Sequence, residues 1–265
     1  MTAGTCSASP ATNGSPDIDM VWTLVLRGLV VGVLAGLLAG AFAFVIGEPL
    51  VQDAIDIEEA GSAHASLQFV PAHISEWAVS RDEQRGGLFL ATGLYGLAIG
   101  GVFGAIFATL LGRGRERSPY QLATRLAGAL FVAIVLVPFL KYPANPPAVG
   151  NPDTIGDRTV YYVVLLVGSA LAMLAAARVA WSVPEDAVPW KRPLLAGGTF
   201  VLLAGLLFVA LPGVSEIPGD FPAQLIWEFR LSSLGTQAVL WAALGIGYGI
   251  ASYRAAMPSA AAQRA

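Results

Sequence analysis

Six stretches without a charged residue limit what this chain can fold into. They are residues 28–47, 86–112, 126–140, 159–177, 193–215 and 231–253. A helix needs about 20 apolar residues to cross about 30 Å of hydrocarbon, and five stretches approach or exceed that length. The third is shorter, but it becomes long enough if its helix begins near Pro119 and Arg125 extends toward the headgroups. We therefore expect an all-α, polytopic integral membrane protein with about six transmembrane helices.

Composition supports this class and excludes others. Of the 265 residues, 55% are hydrophobic and 12% are charged, which is about half the charged fraction of a soluble domain. The single cysteine, Cys6, excludes a disulfide scaffold and any Cys-rich metal site. A net charge of −3 argues against nucleic acid as a partner and leaves membrane lipid as the expected surroundings.

The predicted organisation is one transmembrane domain, residues 21–254, between two cytoplasmic tails. The first tail, residues 1–20, is expected to be disordered, and the second comprises residues 255–265. The first tail lacks the basic region of a signal peptide, so we expect the first apolar stretch to remain as a membrane helix, with Met20 as a second candidate start. The spans are expected near 21–47, 86–112, 119–140, 159–181, 193–213 and 231–253, with an outer loop at 48–85.

The basic residues predict the orientation. Ten of the 15 Lys and Arg residues fall on one side of the predicted spans. The positive-inside rule then places both termini in the cytoplasm of an inner (plasma) membrane. Thirteen of the 18 acidic residues fall in the outer loops, so we expect the outer face to attract cations.

The chemistry available to the chain is restricted. No ionisable side chain lies in the middle of a predicted span, which excludes a proton relay inside the membrane. The sequence contains no H-E-x-x-H, G-x-S-x-G or P-loop motif, so it is not expected to be an enzyme. Glycines recur every four residues from Gly28 to Gly40 and from Gly96 to Gly104, a spacing that predicts close helix packing.

The outer loop contains the densest set of candidate metal ligands. Pro49 after Glu48 predicts the start of an amphipathic helix, along which Asp53, Asp56 and Glu59 form an acidic stripe. Carboxylates and imidazoles together suit Co²⁺, Ni²⁺ or Zn²⁺. The stripe is either the hydrated face of that helix or a weak, external cation-collecting surface. The candidate ligands are Glu48, Asp53, Asp56, Glu59, His64, His73 and Glu76.

Two further outer segments, 141–158 and 212–230, are rich in proline and are expected to be rigid and folded. They either line an external mouth or cover the helix ends. Any route through the membrane is expected to be uncharged and to hold an ion weakly. Its candidate lining residues are Thr92, Tyr95, Thr236, Gln237 and Tyr248.

Four segments together resemble the probable cobalt transporter subunit CbtA family, and they cover nearly all of residues 27–254. They are RGLVVGVLAGLLAGAFAFVIGEPLVQDAIDIEEA from Arg27, VSRDEQRGGLFLATGLYGLAIGGVFG from Val79, KYPANPPAVGNPDTIGDRT from Lys141 and FPAQLIWEFRLSSLGTQ from Phe221. The proline-rich segment and the GTQ segment are the most specific.

The resemblance implies a membrane permease or permease subunit for Co²⁺ uptake that supplies cobalamin synthesis. It also implies a small, single-span companion with a His-rich terminus (CbtB-like), and no permanently bound cofactor. Family members often carry more histidines between the first two spans than the two present here. The uncharged spans leave a second class open, a non-transporting scaffold or assembly factor of a metal-uptake complex. A carrier of small organic solutes would need a polar site at the membrane midplane, and none is evident from the sequence.

Overall fold

The computed structural model of the chain describes residues 18–65, 81–111, 118–147, 149–214, 216–219 and 221–262. These residues are mostly helical, and π-helical turns at Ala43–Gly47 and Val132–Leu136 each join two helices end to end. The α-helices of the described part are α1 (Ile18–Phe42), α2 (Glu48–Ala65), α3 (Arg81–Leu110), α4 (Pro119–Phe131), α5 (Val137–Lys141), α6 (Ile155–Ser182), α7 (Lys191–Ala210) and α8 (Ala223–Ala262).

The predicted all-α membrane class is confirmed. Six helical segments of the described chain are long and apolar enough to cross a membrane, and these residues contain no strand. The bounds differ from the predicted spans at both ends of the chain. Helix α1 begins at Ile18, inside the predicted first tail, and α8 continues to Ala262, inside the predicted second tail. The remainder of each tail lies outside the described residues.

The outer loop predicted at residues 48–85 begins as a helical extension of the first span. Helix α1 passes through the π-turn directly into α2, so Ile18–Ala60 forms one stretch of 43 helical residues. At 1.5 Å per residue this stretch is about twice as long as the hydrocarbon layer is thick. About half of it must therefore lie outside the hydrocarbon.

Two prolines lie within helices without breaking them. Pro49 was predicted to start a helix, and this prediction is wrong, because α1, the π-turn and α2 form one continuous helix. The π-turn Ala43–Gly47 ends two residues before Pro49, and the π-turn Val132–Leu136 ends two residues before Pro138. A π-turn shifts the backbone pairing by one residue and so accommodates a proline that lacks an N–H.

The second π-turn connects two parts of the molecule. The Val137 N–H donates to the Val132 carbonyl, and Pro138 has no N–H, so the helix provides no donor for the Ala133 carbonyl. The Ser169 hydroxyl of α6 supplies that donor at 2.5 Å. Ser169 is fully buried. This hydrogen bond joins α6 to the second π-turn.

The glycine ridges pack against each other, as their spacing predicted. A Cβ atom on Gly32 would lie 2.8 Å from Gly100 Cα, and one on Gly100 would lie 2.7 Å from Gly32 Cα. One on Gly96 would lie 2.8 Å from Gly36 Cα. Only glycine fits at these positions, because the backbones of α1 and α3 are in direct contact.

Helix α8 packs against both α1 and α4 and completes the core. Tyr248 is fully buried, and its ring lies against Phe103 and Phe107 of α3, with ring centroids 5.1 and 4.8 Å away. Its hydroxyl donates to the Leu24 carbonyl of α1 at 3.0 Å. This aromatic cluster joins three helices at the end of the molecule away from the outer segments.

Candidate functional site

The acidic stripe on α2 is the exposed face of that helix. Asp53, Asp56 and Glu59 are exposed, whereas Ala54 is fully buried. The Gln52 side-chain amide donates to Asp56 Oδ1 at 2.8 Å. The stripe therefore presents carboxylates to the surroundings without enclosing a pocket.

The other candidate ligands are placed differently. The Glu48 carboxylate accepts from Arg85 Nε at 3.0 Å, and this ion pair ties α2 to the beginning of α3. The side chain of His64 lies outside the described residues, as do His73 and Glu76. Among the described side chains, no three His, Cys, Asp or Glu groups lie close enough to hold a metal ion.

One carboxylate joins the two proline-rich outer segments. Glu216 accepts from the Thr154 hydroxyl at 2.6 Å and from the Asn151 backbone N–H at 2.8 Å. Arg158 Nε lies 3.4 Å from the same carboxylate. The hydrogen bonds from Thr154 and Asn151, followed by the charge of Arg158, hold the pKa of Glu216 below its ordinary value.

Two more hydrogen bonds fix these segments. The Tyr142 hydroxyl donates to the Pro212 carbonyl at 2.7 Å, and Arg230 Nη2 donates to Asn145 Oδ1 at 2.8 Å. The outer segments are therefore folded, as their proline content predicted, and they contact each other, which the proline content did not predict.

The folded segments enclose a cavity of about 560 Å³, which we call the vestibule. This volume lies in the range of small-molecule and cofactor pockets. The sequence left open whether these segments line an external mouth or cover the helix ends. In the structure they line a cavity. The polar part of its wall comprises Tyr142, Asn145, Arg158, Thr159, Tyr162, Glu216 and Arg230.

A smaller cavity of about 180 Å³, the inner cavity, lies next to the vestibule among α3, the second π-turn, α5, α6 and α8. Tyr142 and Tyr162 line both cavities, so the two adjoin. Besides these two tyrosines, the polar groups that line the inner cavity are Tyr95 of α3 and Ser233 and Gln237 of α8.

Two of the five predicted route residues line the inner cavity. They are Tyr95 of α3 and Gln237 of α8. The hydroxyls of Thr92 and Thr236 each donate at 2.9 Å to the carbonyl four residues earlier in their own helix, and neither residue lines the inner cavity. Tyr248 belongs to the packed aromatic cluster.

The inner cavity ends against this packed core. Leu240, Trp241, Leu244 and Tyr248, which follow Gln237 along α8, are each at most 3% exposed. Leu24 and Phe107 pack against them from α1 and α3. Along α8, the polar lining of the inner cavity is therefore followed by a packed apolar core.

Comparison with known families adds the deciding observation. A family model described as probable cobalt transporter subunit (CbtA) matches residues 21–252. The chain belongs to the CbtA family. No match was found among curated proteins or among solved structures. The resemblance noted in the sequence is thus confirmed, and the CbtA description is that of a transporter subunit.

The sequence analysis of this CbtA chain missed the groups that build the vestibule. It counted Arg158, Glu216 and Arg230 only as loop charges. Glu216 is separated from Asn151 by 65 positions in the chain, and no spacing rule connects residues across such a distance. The available signal was the proline content of both segments, which indicated fixed loops without indicating their partners.

Proposed function

We propose that this chain is a subunit of a plasma-membrane cobalt uptake system, and that it admits Co²⁺ through the vestibule and the inner cavity. The observation that carries the proposal is the adjacency of these cavities in a member of a cobalt transporter subunit family. The cavities share Tyr142 and Tyr162 as lining residues, and in this proposal an ion passes from the vestibule to the inner cavity past these two side chains.

Charge on the outer side supports a cation as the cargo. Segments 141–158 and 212–230 together carry five acidic and three basic residues, and Glu216 neutralises Arg158 within the wall. The inner cavity is lined by neutral side chains, which bind an ion weakly and so let it leave. The membrane potential then drives entry, contributing about 4.6 kcal/mol per 100 mV for a divalent ion.

The outer loop at residues 48–85 serves, in this proposal, as a weak Co²⁺-collecting surface. Exposed carboxylates on α2 raise the local cation concentration, and the histidines bind only when neutral, so capture weakens as pH falls through about 6.5. Glu48 contributes least, because it is paired with Arg85. The surface comprises Glu48, Asp53, Asp56, Glu59, His64, His73 and Glu76.

The description of the family as a subunit implies a partner. We propose a small, single-span, His-rich companion (CbtB-like), which would deliver the ion to the outer surface. We also propose that both termini are cytoplasmic and that the imported cobalt supplies cobalamin synthesis.

Two observations favour a second function, that of a non-transporting scaffold. The inner cavity ends against a packed apolar core, and no span carries a charge in its middle. A scaffold would hold the companion in place and would need no continuous route. In that case the vestibule would serve only to bind a partner or a ligand.

Accumulation of radioactive cobalt by cells separates the two functions. Ser233→Trp would fill the inner cavity, whereas Leu231→Trp places the same side chain at a position that is 47% exposed on the same helix. Both variants are compared at equal membrane levels, with the companion present. Uptake that is lost only in Ser233→Trp supports the route. Uptake that depends on the chain but survives Ser233→Trp indicates the scaffold.

A further inference from the structure

The inner cavity contains a polar group whose hydrogen bonding is incomplete. The side chains of Gln237 and Tyr95 both line this cavity, and the buried Gln237 Oε1 atom has no hydrogen-bond partner in the described part of the chain. A buried amide oxygen without a donor costs free energy, most of all inside a membrane where water cannot easily replace the donor. The adjoining cavity is therefore expected to hold something that donates to this oxygen.

The other groups around the cavity limit what that occupant is. Its polar lining consists of neutral oxygens, namely the hydroxyls of Tyr95, Tyr142, Tyr162 and Ser233 and the amide of Gln237. The lining contains no carboxylate, imidazole or thiolate. Such a site lacks the ligands that hold a bare transition-metal ion tightly.

The size of the cavity agrees with a hydrated ion. A water molecule occupies roughly 30 Å³ in the liquid, so a cavity of about 180 Å³ has room for several waters. Waters bound to a divalent cation are strong hydrogen-bond donors, because the metal charge polarises their O–H bonds. Gln237 Oε1 and the tyrosine oxygens are the matching acceptors.

We propose that the inner cavity is a stopping site for a hydrated divalent cation, which Gln237 Oε1 holds through a metal-bound water. The identification of the cation as cobalt rests on the proposed function. The site selects for charge and for hydrated size, and it leaves the inner hydration shell in place. Release toward the cytoplasm then requires no exchange of metal ligands.

The test uses Gln237→Leu, which removes the acceptor, Gln237→Glu, which adds a charge, and Thr236→Val as the control. The Thr236 hydroxyl is bonded within its own helix. Gln237→Leu loses one hydrogen bond to a charged group. We expect this loss to raise the cobalt concentration for half-maximal flux into liposomes by about tenfold. Gln237→Glu lowers that concentration and also slows maximal flux. Thr236→Val matches the wild type.

A binding measurement separates this proposal from the proposed function. Purified protein labelled with 3-fluorotyrosine is titrated with Co²⁺, whose unpaired electrons shift nearby fluorine resonances. The Tyr95 and Tyr162 signals should shift in the wild type and much less in Gln237→Leu. Shifts without flux would retain the site and contradict transport. Flux without these shifts, and with unchanged half-saturation in both Gln237 variants, would overturn the site and retain transport.

Discussion

At Gly100 the backbone of α3 approaches α1 too closely for any side chain. A Cβ atom there would lie 2.7 Å from Gly32 Cα, and neither backbone can move without separating the helices. We expect Gly100→Ala to lower the free energy of unfolding by about 1–3 kcal/mol, the range for overpacked positions. Thermal unfolding of the detergent-solubilised protein measures the effect.

Gly197 on α7 provides the matched control. It is a helical glycine, and an added Cβ there would meet no atom within 4 Å. Alanine forms helix better than glycine by up to about 1 kcal/mol, so Gly197→Ala should leave stability unchanged or raise it slightly. Equal loss in both variants would mean that the glycine ridge does not hold α1 and α3 together.

Glu216 gives the outer segments a defined pH dependence. Its pKa is lowered in the folded state by Thr154 and Asn151, so its contribution to stability is fully present above the unfolded pKa of about 4.3. That contribution is lost as pH falls through the lower, folded pKa. Nitroxide labels at Pro147 and Gly213 should therefore move apart in wild-type protein only below about pH 4.3.

The matched variant for this titration is Glu216→Gln. It has no carboxylate to protonate, so it should give a longer label separation at pH 7 and no further change on acidification. A wild-type separation that stays constant while the Glu216 carboxylate is protonated, with the protein still folded, would contradict the role of Glu216.

At the scale of elements, the second π-turn depends on a neighbouring helix. Ser169→Ala leaves the Ala133 carbonyl with no side-chain donor, because Pro138 cannot supply a backbone one. We expect a loss of about 1 kcal/mol in unfolding free energy, typical of one interhelical hydrogen bond in a membrane protein. Ser182→Ala is the control, since that exposed hydroxyl bonds only within its own helix. Equal melting temperatures for the two variants would contradict the account.

The lengths of the apolar stretches predicted the helices well, but not where they end. A charge marks where a helix leaves the hydrocarbon, yet the helix itself continues into water, as α1 does through α2 and α8 does to Ala262. The π-turns could not be predicted from local sequence. The carbonyl freed at Ala133 is stabilised by Ser169, which lies 36 positions away.

At the scale of the whole molecule, the order of helices makes the orientation testable. Pro147 is exposed in one predicted outer segment, and Asp186 is exposed in the connection between α6 and α7. In a Cys6→Ser background, a cysteine at position 147 should react with an impermeant thiol reagent added outside intact cells. A cysteine at position 186 should react only after permeabilisation. The opposite pattern would reverse the predicted topology.

The candidate site was only partly predictable for a related reason. Sequence identified Tyr95 and Gln237 as polar groups within apolar spans, and the fold brings them together in the inner cavity. It could not separate them from Thr92 and Thr236, whose hydroxyls bond within their own helices, or from Tyr248, which is fully buried. Which face of a helix meets a cavity depends on how all the helices pack.

We propose that this chain itself provides a route for Co²⁺. Purified protein is reconstituted, with and without the companion, into liposomes that contain a fluorescent chelator quenched by cobalt. An inside-negative potential is then set with potassium and valinomycin. We expect quenching that is faster than in empty liposomes and that increases with the potential. This quenching should be lost in Ser233→Trp but not in Leu231→Trp. Quenching no faster than in empty liposomes, with the companion present and the potential applied, would contradict it.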